Sequence, residues 1–157
     1  MMNKIEPLRT LELNDILLKS SVTRNRYLGA YPSCLTPKTR KRVYAFILNT
    51  DEHNENGEHW CAWVVRNDTV SFFDSFGRDP SDRSFPAHFR NYITGFNRAQ
   101  YTRTRIQGWD SKACGYFCIH FVYAMCLGVT FEKFLNEYSN NYLENDNVAI
   151  DFVDSII

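Results

Sequence analysis

The stretch from Ile106 to Gly128 constrains the fold more than any other. A polar loop, Ile106-Gln107-Gly108-Trp109-Asp110-Ser111-Lys112, runs into the small-residue corner Ala113-Cys114-Gly115. Beyond it Tyr116, Phe117, Ile119, Phe121, Val122, Tyr123, Ala124, Met125 and Leu127 leave almost no polar face. A helix that is apolar on every side has to be enclosed by other elements. Gly128 supplies a stop just past its end. Cys114 is therefore expected at the N-terminus of a buried central helix, where unpaired backbone N–H groups and the helix dipole favour an anion. A thiol placed there is drawn toward thiolate, which makes Cys114 a candidate nucleophile.

Something must enclose that helix, and the rest of the chain supplies it. Val43 to Leu48 is β-branched and aromatic and reads as a buried strand. Two further strands, Trp60 to Val65 and Val70 to Phe73, flank Arg66-Asn67-Asp68-Thr69, whose Asn and Asp suit a tight hairpin turn. Thr102 to Ile106 alternates and reads as one more strand, whereas Tyr27 to Pro32 reads as turn-rich. Helical spacing marks Leu11 to Leu18, Ala87 to Phe96, a segment capped by Thr130, and Val148 to Ile157. With 157 residues, 44% of them hydrophobic, a single domain spanning 1–157 follows. The element order predicts an α+β fold: a mostly antiparallel or mixed central sheet packed against the helix that bears Cys114.

The hairpin carries the second chemical inference. His59 opens its first strand and Asp74 closes its second. In an antiparallel pair the start of one strand lies beside the end of the other, so both residues reach the same end of the sheet. A Cys at a helix N-terminus, a His to take its proton and a carboxylate to orient the His form a nucleophilic triad. Gln107, in the loop before Cys114, can add a side-chain N–H to the Cys114 backbone N–H as an oxyanion hole. Each residue also has a plain structural reading. Cys61, Cys118 and Cys126 read as small buried hydrophobes. His53 reads as a loop residue, His88 as a surface one and His120 as a satisfied core histidine. Asp74 alone could be a turn residue and Gln107 a loop polar. Zinc at Cys114, Cys118 and His120 lacks a fourth ligand, so no metal is expected.

Charge and cysteine usage narrow the partners. Lys plus Arg equals Asp plus Glu at 18 each, so no global field draws the chain to nucleic acid or membrane. Lys38-Thr39-Arg40-Lys41-Arg42 reads first as a solvated rim, and otherwise as a patch for a polyanion. Five cysteines without CxxC spacing, no secretory leader and no long apolar run point to a reducing, intracellular setting, not secretion and not a membrane.

Four segments together carry a resemblance: Gly57-Glu58-His59-Trp60, Phe72-Phe73-Asp74-Ser75-Phe76-Gly77, Gln107-Gly108, and Ala113-Cys114-Gly115-Tyr116-Phe117-Cys118. In this order they resemble adenain, the cysteine protease family of adenoviruses, over roughly residues 8 to 135. The resemblance implies a cysteine endopeptidase that cleaves viral precursor proteins during virion maturation, in the host cell (the nucleus included) and in the virion. It places the family's His, acidic residue, Gln and Cys on His59, Asp74, Gln107 and Cys114. Trp60 matches a residue shared with the ubiquitin-like-protein proteases and is a candidate neighbour of substrate and oxyanion. Family members take a short activating peptide and DNA as cofactors. Here Tyr92 to Arg105 lacks the cysteine that tethers the peptide, and the balanced charge leaves room only for weak DNA stimulation. A non-covalent peptide at the sheet edge stays open. The expected partners are protein or polyprotein substrates, met by a monomer that requires no cofactor. Two alternatives stand: a deubiquitinase- or deSUMOylase-like protease, for which Asp74 and Trp60 are suited, and a catalytically silent binding module on the same fold.

Overall fold

The structure is a computed structural model that describes residues 5–50 and 59–157. Most of the polar loop before His59, with His53, Gly57 and Glu58, lies outside the described residues. The elements run α1 (Thr10–Lys19), β1 (Tyr27–Tyr31), β2 (Val43–Asn49), β3 (Trp60–Arg66), β4 (Thr69–Phe73), α2 (Ala87–Ile93), β5 (Arg98–Tyr101), α3 (Cys114–Cys126), α4 (Phe131–Leu135) and α5 (Tyr142–Ile156).

The two-residue period of β3 sets the layers. Trp60, Ala62 and Val64 join the core formed with α1, α3, α4 and α5, through Leu13, Leu17, Phe117, Phe121, Phe134 and Val153. Cys61, Trp63 and Val65 join a second core with Phe46, Phe72, Phe85 and Phe89. Successive side chains of a strand point to opposite faces, so a strand buried on both sides must be apolar at every position, as β3 is up to Arg66. The second core is aromatic: Trp63 lies 5.8 Å from Phe46, 4.6 Å from Phe72 and 5.2 Å from Phe89, centroid to centroid. Each Phe buried this way stabilises the fold by about 2–3 kcal/mol.

The five strands stand in the order β1-β2-β3-β4-β5. β2–β3 and β3–β4 are antiparallel, while β1–β2 and β4–β5 are parallel. The sheet is thus mixed, with the antiparallel hairpin at its centre. Parallel neighbours need a crossover, and α2 provides it between β4 and β5. α3 is buried against β3, α5 and α1, as its all-round apolarity requires.

Two expectations need correction. Tyr27–Tyr31 is a strand, not a turn: Gly29, at φ +142°, sits in an irregularity of the β1–β2 register, which is what disguised it. The strand read at 102–106 lies instead at Arg98–Tyr101. Thr102 ends it with its N–H on the Phe72 carbonyl. The chain then follows the loop after β4, with the N–H groups of Ile106 and Gln107 both donating to Ser75 O. The alternation at 102–106 reflects this path rather than a ladder. Helical boundaries move as well: the helix at 87 stops at Ile93, the one capped by Thr130 stops at Leu135, and the last begins at Tyr142.

Candidate active site

The central hairpin builds one half of the site. Asn67 takes φ +55°, the left-handed conformation a tight two-residue turn demands, so the strands pair from Arg66↔Thr69 to Ala62↔Phe73. Carried three residues further, that register sets residue 76 opposite His59. Phe76 does stack on the His59 ring, at 4.5 Å between centroids and 17° between planes. Asp74 lies within reach on the same strand end: His59 Nε2 and Asp74 Oδ1 are 2.5 Å apart.

α3 builds the other half. Cys114 is its first residue, buried at the helix N-terminus, and is a hydrogen-bond partner of His59. Since Nε2 of the ring is taken by Asp74, Nδ1 is the nitrogen left for Cys114. Burial would lower the His59 pKa, but its hydrogen bonds to Asp74 and Cys114 and their charges outweigh burial and raise it from 6.5 to about 9. Burial likewise opposes the ionised form of Asp74, and here His59 and then Arg78 prevail, holding its pKa below the usual value. A cavity of about 290 Å³ opens where His59, Cys114, Phe76, Arg78, Trp109 and Ser111 meet. A larger hollow of about 590 Å³ lies between β5 and α4 and is lined by Tyr101, Ile106, Phe131 and Leu135. It holds none of these chemical groups, so size alone does not mark the site.

Gln107 is completely buried beside the cavity, and both ends of its amide are held. Oε1 accepts from Ser75 Oγ. Nε2 donates to Ser111 O at 2.9 Å and to Ser111 Oγ at 3.2 Å. Ser111 Oγ also accepts from Ala113 N at 3.1 Å and bonds the Asp146 side chain. Asn145, on α5, donates to the Ile106 carbonyl at 2.9 Å. Two residues of the last helix thus hold the loop that carries Gln107. Trp60 is placed differently from the other candidates. It is packed in the core with its indole N–H on Leu8 O at 2.9 Å, an anchor for the segment before α1 rather than a wall of the cavity.

Sequence reasoning missed Arg78 and Trp109. Arg78 Nε donates to Asp74 Oδ2 at 2.8 Å. Trp109, 65% exposed, lies 4.7 Å from Phe76 and under the Arg105 guanidinium, which also covers Tyr142. The spacing Asp74–Arg78 was a signal, but only inside a helix does a four-residue interval mean contact.

The donor set does not suit a metal. Among the described residues one group has ligand atoms close together, His59, Cys61 and Asp74. Burial pushes the Cys61 thiol well up, keeping it neutral, and both Asp74 oxygens already accept hydrogen bonds. His120 and Cys118 are engaged elsewhere: His120 with Tyr138 and Glu137, and Cys118 Sγ with Trp60 O.

No protein-family model matches the chain. A protease of human adenovirus D serotype 17 is 32% identical over 123 residues, covering 63% of this chain and 57% of the relative. A protease of human adenovirus B serotype 3 is 30% identical over 108 residues, covering 60% of this chain and 49% of the relative. The chain therefore spans about half the length of the curated relatives it matches. Among solved structures, the ASFV pS273R protease shares the fold, with a TM-score of 0.53 at 19% identity over 76% of this chain and 45% of that one. In sequence the chain is thus similar to adenovirus proteases over about 60% of its length, and in fold to the ASFV protease.

Proposed function

We propose that the protein is a cysteine endopeptidase acting on protein substrates, with Cys114 as nucleophile, His59 as base and acid, and Asp74 as the group that orients His59. One observation carries the reading: a single imidazole bridges a buried carboxylate and a cysteine at a helix N-terminus, on the wall of a cavity. The name shared by the adenovirus relatives supports peptide-bond cleavage, and the Cys114–His59 contact supports the cysteine type.

In the proposed reaction the proton of Cys114 passes to His59 and the thiolate attacks the scissile carbonyl carbon. The C=O electron pair moves onto oxygen, where the Cys114 backbone N–H and Gln107 Nε2 receive it. To do so Gln107 exchanges one of its N–H bonds to Ser111. Collapse of the intermediate breaks the C–N bond, His59 gives its proton to the leaving amine, and water later releases the acyl group from Sγ. The substrates we infer are viral precursor proteins processed during virion maturation.

The test is cleavage of a peptide library and of ubiquitin-like conjugates by the wild type and by Cys114→Ala. Cleavage of library peptides by the wild type alone is expected. Equal cleavage by Cys114→Ala would sink the nucleophile, and cleavage confined to ubiquitin-like conjugates would move the activity to that other protease class.

A further inference from the structure

Asp74 is wholly buried, yet only one of its oxygens serves His59. Oδ1 accepts from His59 Nε2 and, at 3.2 Å, from the Phe76 N–H. Oδ2 accepts from the Arg78 N–H at 3.1 Å and from Arg78 Nε at 2.8 Å. The guanidinium is fixed in turn. Its Nη1 donates to Ser84 Oγ at 3.0 Å, and its carbon lies 4.5 Å from the Phe85 ring centroid and 5.4 Å from that of Phe76. It also borders the cavity onto which His59 and Cys114 open. A planar cation held on four sides is not the loosely solvated arginine of a protein rim.

The charges around the pair give Arg78 its effect. β3 contributes Cys61, kept neutral by burial, and α3 contributes Cys114 and Cys118, the latter also neutral. The loop after Arg78 contributes Asp82, which is engaged by Ser84. Among these groups Arg78 is the one cation besides His59. With Cys114 as thiolate and His59 as imidazolium, Asp74 would leave an excess negative charge in a buried place, and Arg78 balances it. It also draws on the same carboxylate that holds the His59 proton. Resting on the peptidase reading, we propose that Arg78 is a positioning residue acting through Asp74: it divides the charge of that carboxylate so that His59 remains acidic enough to protonate the leaving amine. A general acid transfers its proton best when its pKa stays near the working pH.

The test is substitution of Arg78 with two readouts. Arg78→Gln sets an amide N–H where Nε stands and removes the charge, along with the Nη1 bond to Ser84, whereas Arg78→Lys removes the planar fork but keeps the charge. Titration of the His59 ring by NMR should show its midpoint rising by on the order of one pH unit. In peptide cleavage kcat should fall roughly threefold to tenfold, with KM little changed and the alkaline limb moved up alongside the midpoint. Arg78→Lys, which keeps a cation, should restore most of the shift. A folded Arg78→Gln whose His59 midpoint stays put or falls would overturn the proposal. If Arg78→Gln does not fold, Arg78→Lys decides alone: a midpoint close to that of the wild type supports the charge role, and a marked change in either direction overturns it. The titration needs no substrate, so a protein that cleaves nothing would refute the peptidase and leave this measurement readable.

Discussion

Replacing Asp74 by Asn keeps the shape of the side chain and removes the charge that His59 faces. In the native protein His59 moves from 6.5 to about 9, which at ~1.4 kcal/mol per pH unit amounts to about 3 kcal/mol favouring the imidazolium. Burial opposes that shift, so the gross pull of Asp74 and Cys114 is larger still. With Asp74→Asn the carboxylate's share is lost and the midpoint should fall by roughly two pH units, held up only by Cys114. Adding Cys114→Ala leaves burial alone and should carry it below 6.5. The assay is a proton–carbon NMR titration of the ring Cε1–H groups of the four histidines, with His59→Gln to assign the signal. The sign for stability follows. A raised histidine stabilises fully below its unfolded pKa and loses that contribution as pH rises through about 9. Asp74, held low, stabilises above its unfolded value and loses that as pH falls. The melting penalty of Asp74→Asn should thus be largest from about pH 5 to 6.5, decline as pH rises from there, and be smallest above about pH 9. A wild-type His59 midpoint at or below 7, or one that Asp74→Asn leaves unmoved, would refute the assigned geometry.

His120 should behave oppositely. Burial lowers its pKa to about 4, and the half-exposed Glu137 carboxylate 3.1 Å from Nε2 is too well screened to reverse this. A lowered histidine costs stability as pH drops from about 6.5 to 4. The melting temperature should therefore fall over that interval, and much less so in His120→Gln. Gly77→Ala should be harmful in two ways. Its φ is +77°, and an added Cβ would stand 2.5 Å from Arg105 N. We expect a loss of at least 1–3 kcal/mol in urea denaturation, with reduced peptide cleavage because the loop at 104–107 must shift. Gln107→Ala should lower kcat by roughly two to three decades with little change in KM. A loss confined to KM would remove Gln107 from the oxyanion role.

The legible parts of this chain were those whose determinants lie close together in sequence. Asn67 and Asp68 specified a turn, the turn specified a register, and the register brought His59 to Asp74 without any knowledge of the third dimension. The apolarity of 116–127 announced a buried helix because no other environment tolerates it. β1 was hidden because Gly29 and Pro32 are turn residues by composition, and here Gly29 relieves an irregular register. The Thr102–Ile106 alternation misled because a two-residue period is necessary for a strand but does not supply a partner. Arg78 was invisible because its partner, Asp74, is identified by the path of a loop. The grip on Gln107 was invisible for a related reason: Asn145 and Ile106 are 39 residues apart.

That last grip has a consequence in the order of synthesis. Cys114, His59 and Asp74 all leave the ribosome before Asn145 and Asp146 of α5. Until α5 docks, the Ile106 carbonyl lacks its Asn145 donor and Ser111 lacks Asp146. A growing chain can therefore gather Cys114, His59 and Asp74 before it can fix the loop that carries Gln107.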